Sequence, residues 1–435
     1  MAIDEVTWGR LRERAITLGQ WVGLGGLVGV ACGVASAVFL HALDWATRFR
    51  SAHEVMVFAL PLAGLAVGAL YDRFGKLIKG GNNLVLDTVH DGGSPLPTRM
   101  APMVLAGTVL THLFGGSAGR EGTAVQMGAS LADLFAHRLK VSPATRRRML
   151  AAGIAGGFGS VFGTPIAGTV FGLEVVAIGK LEYDALVPAL VASLAGDLVT
   201  RRLGITHTEY PSPEALGLTP LLLAKWAVFA AAVALASTAF VELTHGLKKL
   251  LEKRVPWVPV RALLGGAVVV GLWRLAGTSD YLGLGVPTIV RSFTDPSLPT
   301  FAFAWKLLFT AVTLGAGFLG GEVTPLFFVG AALGNALGKA LDIPLPMAAA
   351  VGMAAVFGAA ANTPLALSIM AIELVGANVA PHVVLVSVLA YVLAGHRGIY
   401  PSQRLSRTKW GKSVELVSLR DYAPESTRKD PRTTP

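Results

Sequence analysis

Residues 153–174, GIAGGFGSVFGTPIAGTVFGLE, recur as residues 352–373, GMAAVFGAAANTPLALSIMAIE, with Gly153/Gly352, Phe158/Phe357, Pro165/Pro364 and Glu174/Glu373 at one offset of 199. Upstream, Gly128-Ala129 pairs with Gly330-Ala331 at offset 202, and Glu121 pairs with Glu322 at offset 201. The repeat predicts two halves, 21–202 and 203–401, preceded by a surface amphipathic segment 1–20 and followed by a polar, basic, partly disordered tail 402–435. Its apolar pieces are short. Ala124 to Phe135, Ala167 to Ile178, Leu326 to Leu337 and Leu365 to Val375 are each about a dozen residues, bounded by Gly or Pro. Such runs cannot cross a hydrocarbon core of about 30 Å unaided. Paired, interrupted segments in two halves are how membrane transporters build a substrate site.

Longer runs make the chain a polytopic all-α membrane protein. Trp21 to Leu43, Val55 to Tyr71, Leu186 to Val199, Leu221 to Val241, Ala262 to Leu275, Phe301 to Leu319 and Val383 to Ala394 read as the long helices. The chain is 53% hydrophobic and 15% charged, where soluble domains carry about 25% charge. Met1 to Arg14 is polar, which predicts no cleavable leader. Glycine supplies 51 of 435 residues, so the helices are expected to pack closely and to break often. The net charge of +10 does not indicate a nucleic-acid partner, because the basic residues fall between apolar segments and at the termini. Arg10 to Arg14, Arg146 to Arg148, Arg201-Arg202, Lys248 to Arg254 and Arg397 to Lys412 are expected as cytoplasmic anchors, with both termini on that side.

Within Gly116-Ser117-Ala118-Gly119-Arg120-Glu121-Gly122-Thr123 a charge pair lies in a glycine-dense apolar region, where it is costly. Helical character resumes from Thr123, which puts Glu121 beside the free N–H groups of a broken helix, a place suited to an anion. An ionised carboxylate there competes with a substrate anion, and a protonated one leaves the place open. The plainer alternative is a Glu121–Arg120 pair at a headgroup boundary.

GSAGREGT at 116–123, GTPIAG at 163–168 and GGEVTP at 320–325 resemble the signature segments of the CLC family of chloride channels and anion/proton exchangers. The resemblance spans the membrane chain and implies the CLC fold, two inverted-topology repeats with broken half-helices. It also implies a homodimer with one pathway per subunit, joined through 167–178, 186–199, 365–375 and 383–394. Where the family usually has GSGIP this chain has Gly81-Asn82-Asn83-Leu84-Val85, and GREGP and GxFxP are Gly119-Arg120-Glu121-Gly122-Thr123 and Gly321-Glu322-Val323-Thr324-Pro325. These variants are similar to the fluoride/proton antiporter subclass. The resemblance therefore implies fluoride export against protons across the cell inner membrane, with a chloride- or nitrate-type channel or exchanger as the alternative.

By the same resemblance, Glu121 is the gate and proton carrier and Glu322 a second proton group. Asn82, Asn83, Arg120, Gly122, Thr123, Val323, Thr324 and Tyr400 line the anion path. The amide of Asn82 offers two donors where a serine offers one, which suits a small, strongly hydrated ion. Without the resemblance, Asn82-Asn83 reads as a turn after Gly80-Gly81, Glu322 as a helix cap and Tyr400 as an aromatic-belt residue. The chloride-type exchangers carry two consecutive acids near the end of the TPIAG-containing helix; here the pair is Glu174-Val175, so the usual inner proton acceptor is missing. An enzyme is not expected: the nine histidines show no HExxH-like spacing, Cys32 is alone, and neither a metal nor a cofactor is implied.

Overall fold

The computed structural model describes residues 5–422. The first half contains α1 (Glu5–Ala52), α2 (Leu60–Phe74), α3 (Asn82–Asp91), α4 (Met100–Leu113), α5 (Glu121–Arg138), α6 (Pro143–Phe162), α7 (Pro165–Glu174) and α8 (Leu186–Arg202). The second contains α9 (Pro220–Arg254), α10 (Val258–Ala276), α11 (Val286–Arg291), α12 (Ala302–Gly315), α13 (Val323–Leu341), α14 (Leu345–Ala361), α15 (Pro364–Val375) and α16 (Ala380–Leu393). Eight helices thus answer eight. The protein is an all-α, multi-pass membrane protein, with six stretches of described helix long and apolar enough to cross a bilayer.

Glycine brings the helices together. At Gly25, Gly29 and Gly33 on α1, an added Cβ would lie 2.8, 2.5 and 2.6 Å from the carbonyl oxygens of Pro188, Ala192 and Gly196 on α8. This is close packing of small residues spaced by four. The repeat reappears as contact. A Cβ on Gly128 of α5 would lie 2.2 Å from Gly153 O on α6, and one on Gly330 of α13 would lie 2.2 Å from Gly352 O on α14. α7 and α15 meet by exchanging caps. Glu174, at the end of α7, accepts from Leu365 N (3.2 Å) and Ala366 N (2.8 Å) at the start of α15. Glu373, near the end of α15, accepts from Ile166 N (3.0 Å) and Ala167 N (2.7 Å) at the start of α7. Each carboxylate satisfies free N–H groups of the other half.

Several sequence expectations change. Segment 1–20 is not separate from the first span: from Glu5 it belongs to α1, because no proline precedes Pro61 to break the helix. Helices α3, α4, α6, α11 and α14 lie outside the expected runs. In α6 the glycines that lower helix propensity are the ones at close crossings. The run expected to reach Ile178 stops at Glu174, and Ala177–Ile178 is a strand, β1. Within the described residues the tail folds back as sheet: β2 (Arg404–Arg407) pairs parallel to β1 and antiparallel to β3 (Ser413–Ser418). Residues 423–435 of the expected tail lie outside the described residues.

The five basic clusters do not share one face. α1 and α8 run parallel, with Gly25 beside Pro188, Gly33 beside Gly196, and His41 Nε2 3.1 Å from Leu203 O. Arg201-Arg202 therefore sits at the far end of α1 from Arg10 to Arg14. Arg148, whose guanidinium lies 5.0 Å from the Trp21 ring, is at the near end.

Candidate anion and proton site

The N-termini of α5 and α13 abut at the centre of the molecule. Gly119 and Gly321 form an antiparallel bridge, with Gly119 N donating to Gly321 O at 2.6 Å and Gly321 N to Gly119 O at 2.8 Å. Side chains would not fit there: a Cβ on Gly119 would lie 3.0 Å from Gly321 O and from Glu121 Oε2. The approach aims two sets of free N–H groups at one point, where partial positive charge accumulates.

Glu121 occupies that point and is fully buried. Its carboxylate accepts from Thr324 Oγ1 (2.6 and 2.7 Å), Thr324 N (3.1 Å), Arg120 N (3.1 Å) and Arg120 Nε (3.4 Å). Donors of α13 thus hold a carboxylate of α5. Neither half-helix has a side-chain cap on its own N-cap residue, so Glu121 serves as the cap of the opposite half. The oxygens stand where an anion bound by both halves would sit.

Asn82 is the first residue of α3, preceded by Gly81 at φ +54, a conformation that favours glycine. Its amide packs on the start of α5: a Cβ on Gly122 would lie 3.0 Å from Asn82 Nδ2 and 3.1 Å from Gly321 Cα. Gly122 is needed for that approach. Asn82 Oδ1 is buried and has no hydrogen-bond partner. Asn82 and Tyr400, which is 4% exposed, line a cavity of about 10 Å³ with Val85, Leu86, Val125, Ile154, Phe171 and Val175. That is room for roughly one water-sized sphere. At the other end, Arg120 lines an open vestibule of about 530 Å³ with Asp44, Arg48, His41 and His207.

Not every expected residue faces this path with a free group. The Thr123 hydroxyl is 2.7 Å from that of Thr108, and Asn83 Oδ1 accepts from Ser402 N at 3.0 Å. Val323 is buried beside Thr324. Glu322 is the N-cap residue of α13 but caps nothing with its side chain, and it stays partly exposed. Its reading as a helix cap is not borne out.

Supports of the loop between α4 and α5, residues 114–120, escaped the sequence reading. The buried His112 ring lies 2.8 Å from Thr108 O and 2.9 Å from Ala118 O. Ser117 is tied to Thr313 through its N–H (3.1 Å) and to Thr310 through its hydroxyl (3.0 Å). The only signal for these was polar residues in apolar runs, and it does not separate a brace from a ligand.

The family model for voltage gated chloride channels matches residues 63–395. A chloride/fluoride channel protein of Pseudomonas syringae pv. tomato is 46% identical over 416 residues, covering 93% of this chain and 91% of that protein. The H(+)/Cl(-) exchange transporter ClcA of Vibrio cholerae is 27% identical, covering 92% of each. Among solved structures, a CLC-type fluoride/proton antiporter superposes with a TM-score of 0.87 at 34% identity, covering 89% of this chain and 98% of that one. A slow cyanobacterial Cl-/H+ antiporter, at 19% identity and a TM-score of 0.75, covering 86% of this chain and 94% of that one, shares the fold.

Proposed function

Because the chain belongs to the voltage gated chloride channel (CLC) family, we propose that it exports fluoride across the membrane in exchange for protons. The observation that carries the reading is Glu121 seated among donors from both halves. Ionised, its carboxylate fills the anion place. Protonated, it gives up the charge that those donors hold, and fluoride takes the place while the carboxyl carries a proton. Thr324, Asn82, Tyr400 and the backbone amides of the half-helices bind the anion, Arg120 attracts it in the vestibule, and Gly122 admits the Asn82 amide.

The 46% identical relative is named a chloride/fluoride channel protein, which admits both anions, and the 34% identical structure is a CLC-type fluoride/proton antiporter, which supports fluoride and proton exchange. Val175 lines the inner cavity, and the neighbouring Glu174 is spent on capping α15. The inner proton route therefore runs through Glu121, with Glu322 as the next group. We place the protein in the cell inner membrane as a homodimer, with both termini cytoplasmic. The halves are 21–202 and 203–401.

The test is efflux from liposomes loaded with fluoride or chloride, with pH recorded alongside. Fluoride efflux outpacing chloride, with protons moving the opposite way, is expected. Equal or faster chloride efflux sinks the fluoride reading, and fluoride efflux without proton movement sinks the coupling.

A further inference from the structure

We infer that residues 402–420 form a strap that sets the spacing of Asn82 and Tyr400, with Gln403 as its buried anchor and a positioning residue for anion selectivity. The inference rests on the fluoride reading above.

The chain leaves Tyr400 and turns directly onto α3. Ser402 N donates to Asn83 Oδ1 (3.0 Å), and Ser402 Oγ donates to Asp87 Oδ2 (3.1 Å). Arg420, at the end of the β2–β3 hairpin, donates from Nη2 to both Asp87 oxygens (2.6 and 2.7 Å) and to Ser402 Oγ (2.8 Å). Arg404 Nη2 donates to both Asp91 oxygens at 2.8 Å. Asn83, Asp87 and Asp91 recur every four residues, so one face of the helix that begins at Asn82 is given to this segment. The two adjacent asparagines divide the work: Asn82 meets the pore and Asn83 holds the strap.

Gln403 is fully buried. Its Nε2 donates to Val175 O (3.0 Å) in the first half and to Ala361 O (2.8 Å) in the second, and its Oε1 accepts from Asn362 Nδ2 (3.1 Å). One side chain thus ties both halves to the residues after Tyr400. Two walls of the inner cavity are Asn82 with Val85 and Leu86 of α3, and Tyr400; a third is Val175. These three are what the strap holds, through Asn83 and Asp87, through the chain itself, and through Gln403. A packed interior transmits such a shift. A looser cavity favours the larger, more weakly hydrated anion, so loss of the anchor should admit chloride.

The experiment compares fluoride and chloride efflux from liposomes for the full chain and for Gln403→Leu, with thermal unfolding in detergent measured on both. A fluoride-to-chloride rate ratio at least threefold lower in the folded variant, chiefly from faster chloride efflux, is expected. An unchanged ratio, whatever the melting temperature does, overturns the proposal. If Gln403→Leu does not fold, the Arg404→Ala/Arg420→Ala double variant carries the test. It removes two ion pairs that each keep one partner near half exposed or more (Asp91 62%, Arg420 48%), so solvent screens them and their loss costs folding less than loss of the buried Gln403; a ratio lowered about twofold in the folded variant supports the strap, and an unchanged ratio overturns it. Wild-type protein in the same assay separates the two ideas: absence of fluoride efflux there is a failure of the functional reading, and normal fluoride efflux with unaltered variants is a failure of the strap alone.

Discussion

Glu121 accepts every hydrogen bond it makes, and that fact sharpens what Glu121→Gln should do. An amide nitrogen cannot accept, so part of the Thr324 and Arg120 donor set loses its partner, and an unmade hydrogen bond of this type costs about 1–3 kcal/mol. The side chain is then held less firmly and cannot titrate. Proton movement should fall to the leak of empty liposomes, and fluoride flux should lose its pH dependence; proton coupling at the wild-type level would move the proton to another group, Glu322 first. For Asn82→Ser, one hydroxyl replaces two amide donors. A lost hydrogen bond to a charged partner is worth about 1.5–3 kcal/mol, so the fluoride-to-chloride ratio should fall about tenfold or more, at unchanged melting temperature. An unchanged ratio would leave Asn82 as a turn residue. Glu121 was legible because a charge pair among glycines in an apolar stretch needs a reason. The separate duty of Asn83 was not legible, because its partner Ser402 lies 319 residues away and no local pattern encodes the contact.

At the scale of elements, the exchange of caps between α7 and α15 gives a matched pair of tests. Removing a capping side chain costs about 0.5–2 kcal/mol. Glu174→Ala should fall at the upper end, because Glu174 is 8% exposed; Glu373→Ala should fall at the lower end, because Glu373 is exposed. Melting temperatures of both variants in detergent check the order, and two unshifted curves would remove the caps from the account of stability. The glycine crossings give a second pair. Gly330→Ala pushes a methyl to within 2.2 Å of Gly352 O and should cost about 1–3 kcal/mol as overpacking. Gly271→Ala on α10, with nothing within 4 Å, should be neutral or slightly stabilising through helix propensity. The repeat exposed the half-helices α5, α7, α13 and α15, since their glycine, proline and glutamate positions recur. It did not expose α6 and α14 as helices, because glycine and alanine there signal close packing only once the neighbouring helix is known. The β2–β3 hairpin was hidden for a related reason: it docks through β2 on β1, a two-residue strand too short to carry a pattern.

For the whole molecule, the remaining question is what covers the outer faces of α7, α8, α15 and α16. Ile166, Leu194, Leu198, Leu365, Val384 and Val388 are all at least 40% exposed in the single chain. Lipid and a second copy are equally apolar, so burial alone does not choose between them; shape does. A tryptophan placed on this face is acceptable to lipid but obstructs a closely packed two-fold interface. Wild-type protein in mild detergent is expected at twice the chain mass by light scattering, and Ile166→Trp/Leu194→Trp at the single mass. Transport should survive the change, because Glu121, Thr324, Asn82 and Tyr400 are brought together within one chain. A wild-type monomer would remove the dimer, and a monomeric variant that folds but carries no fluoride would mean that the pathway requires both subunits.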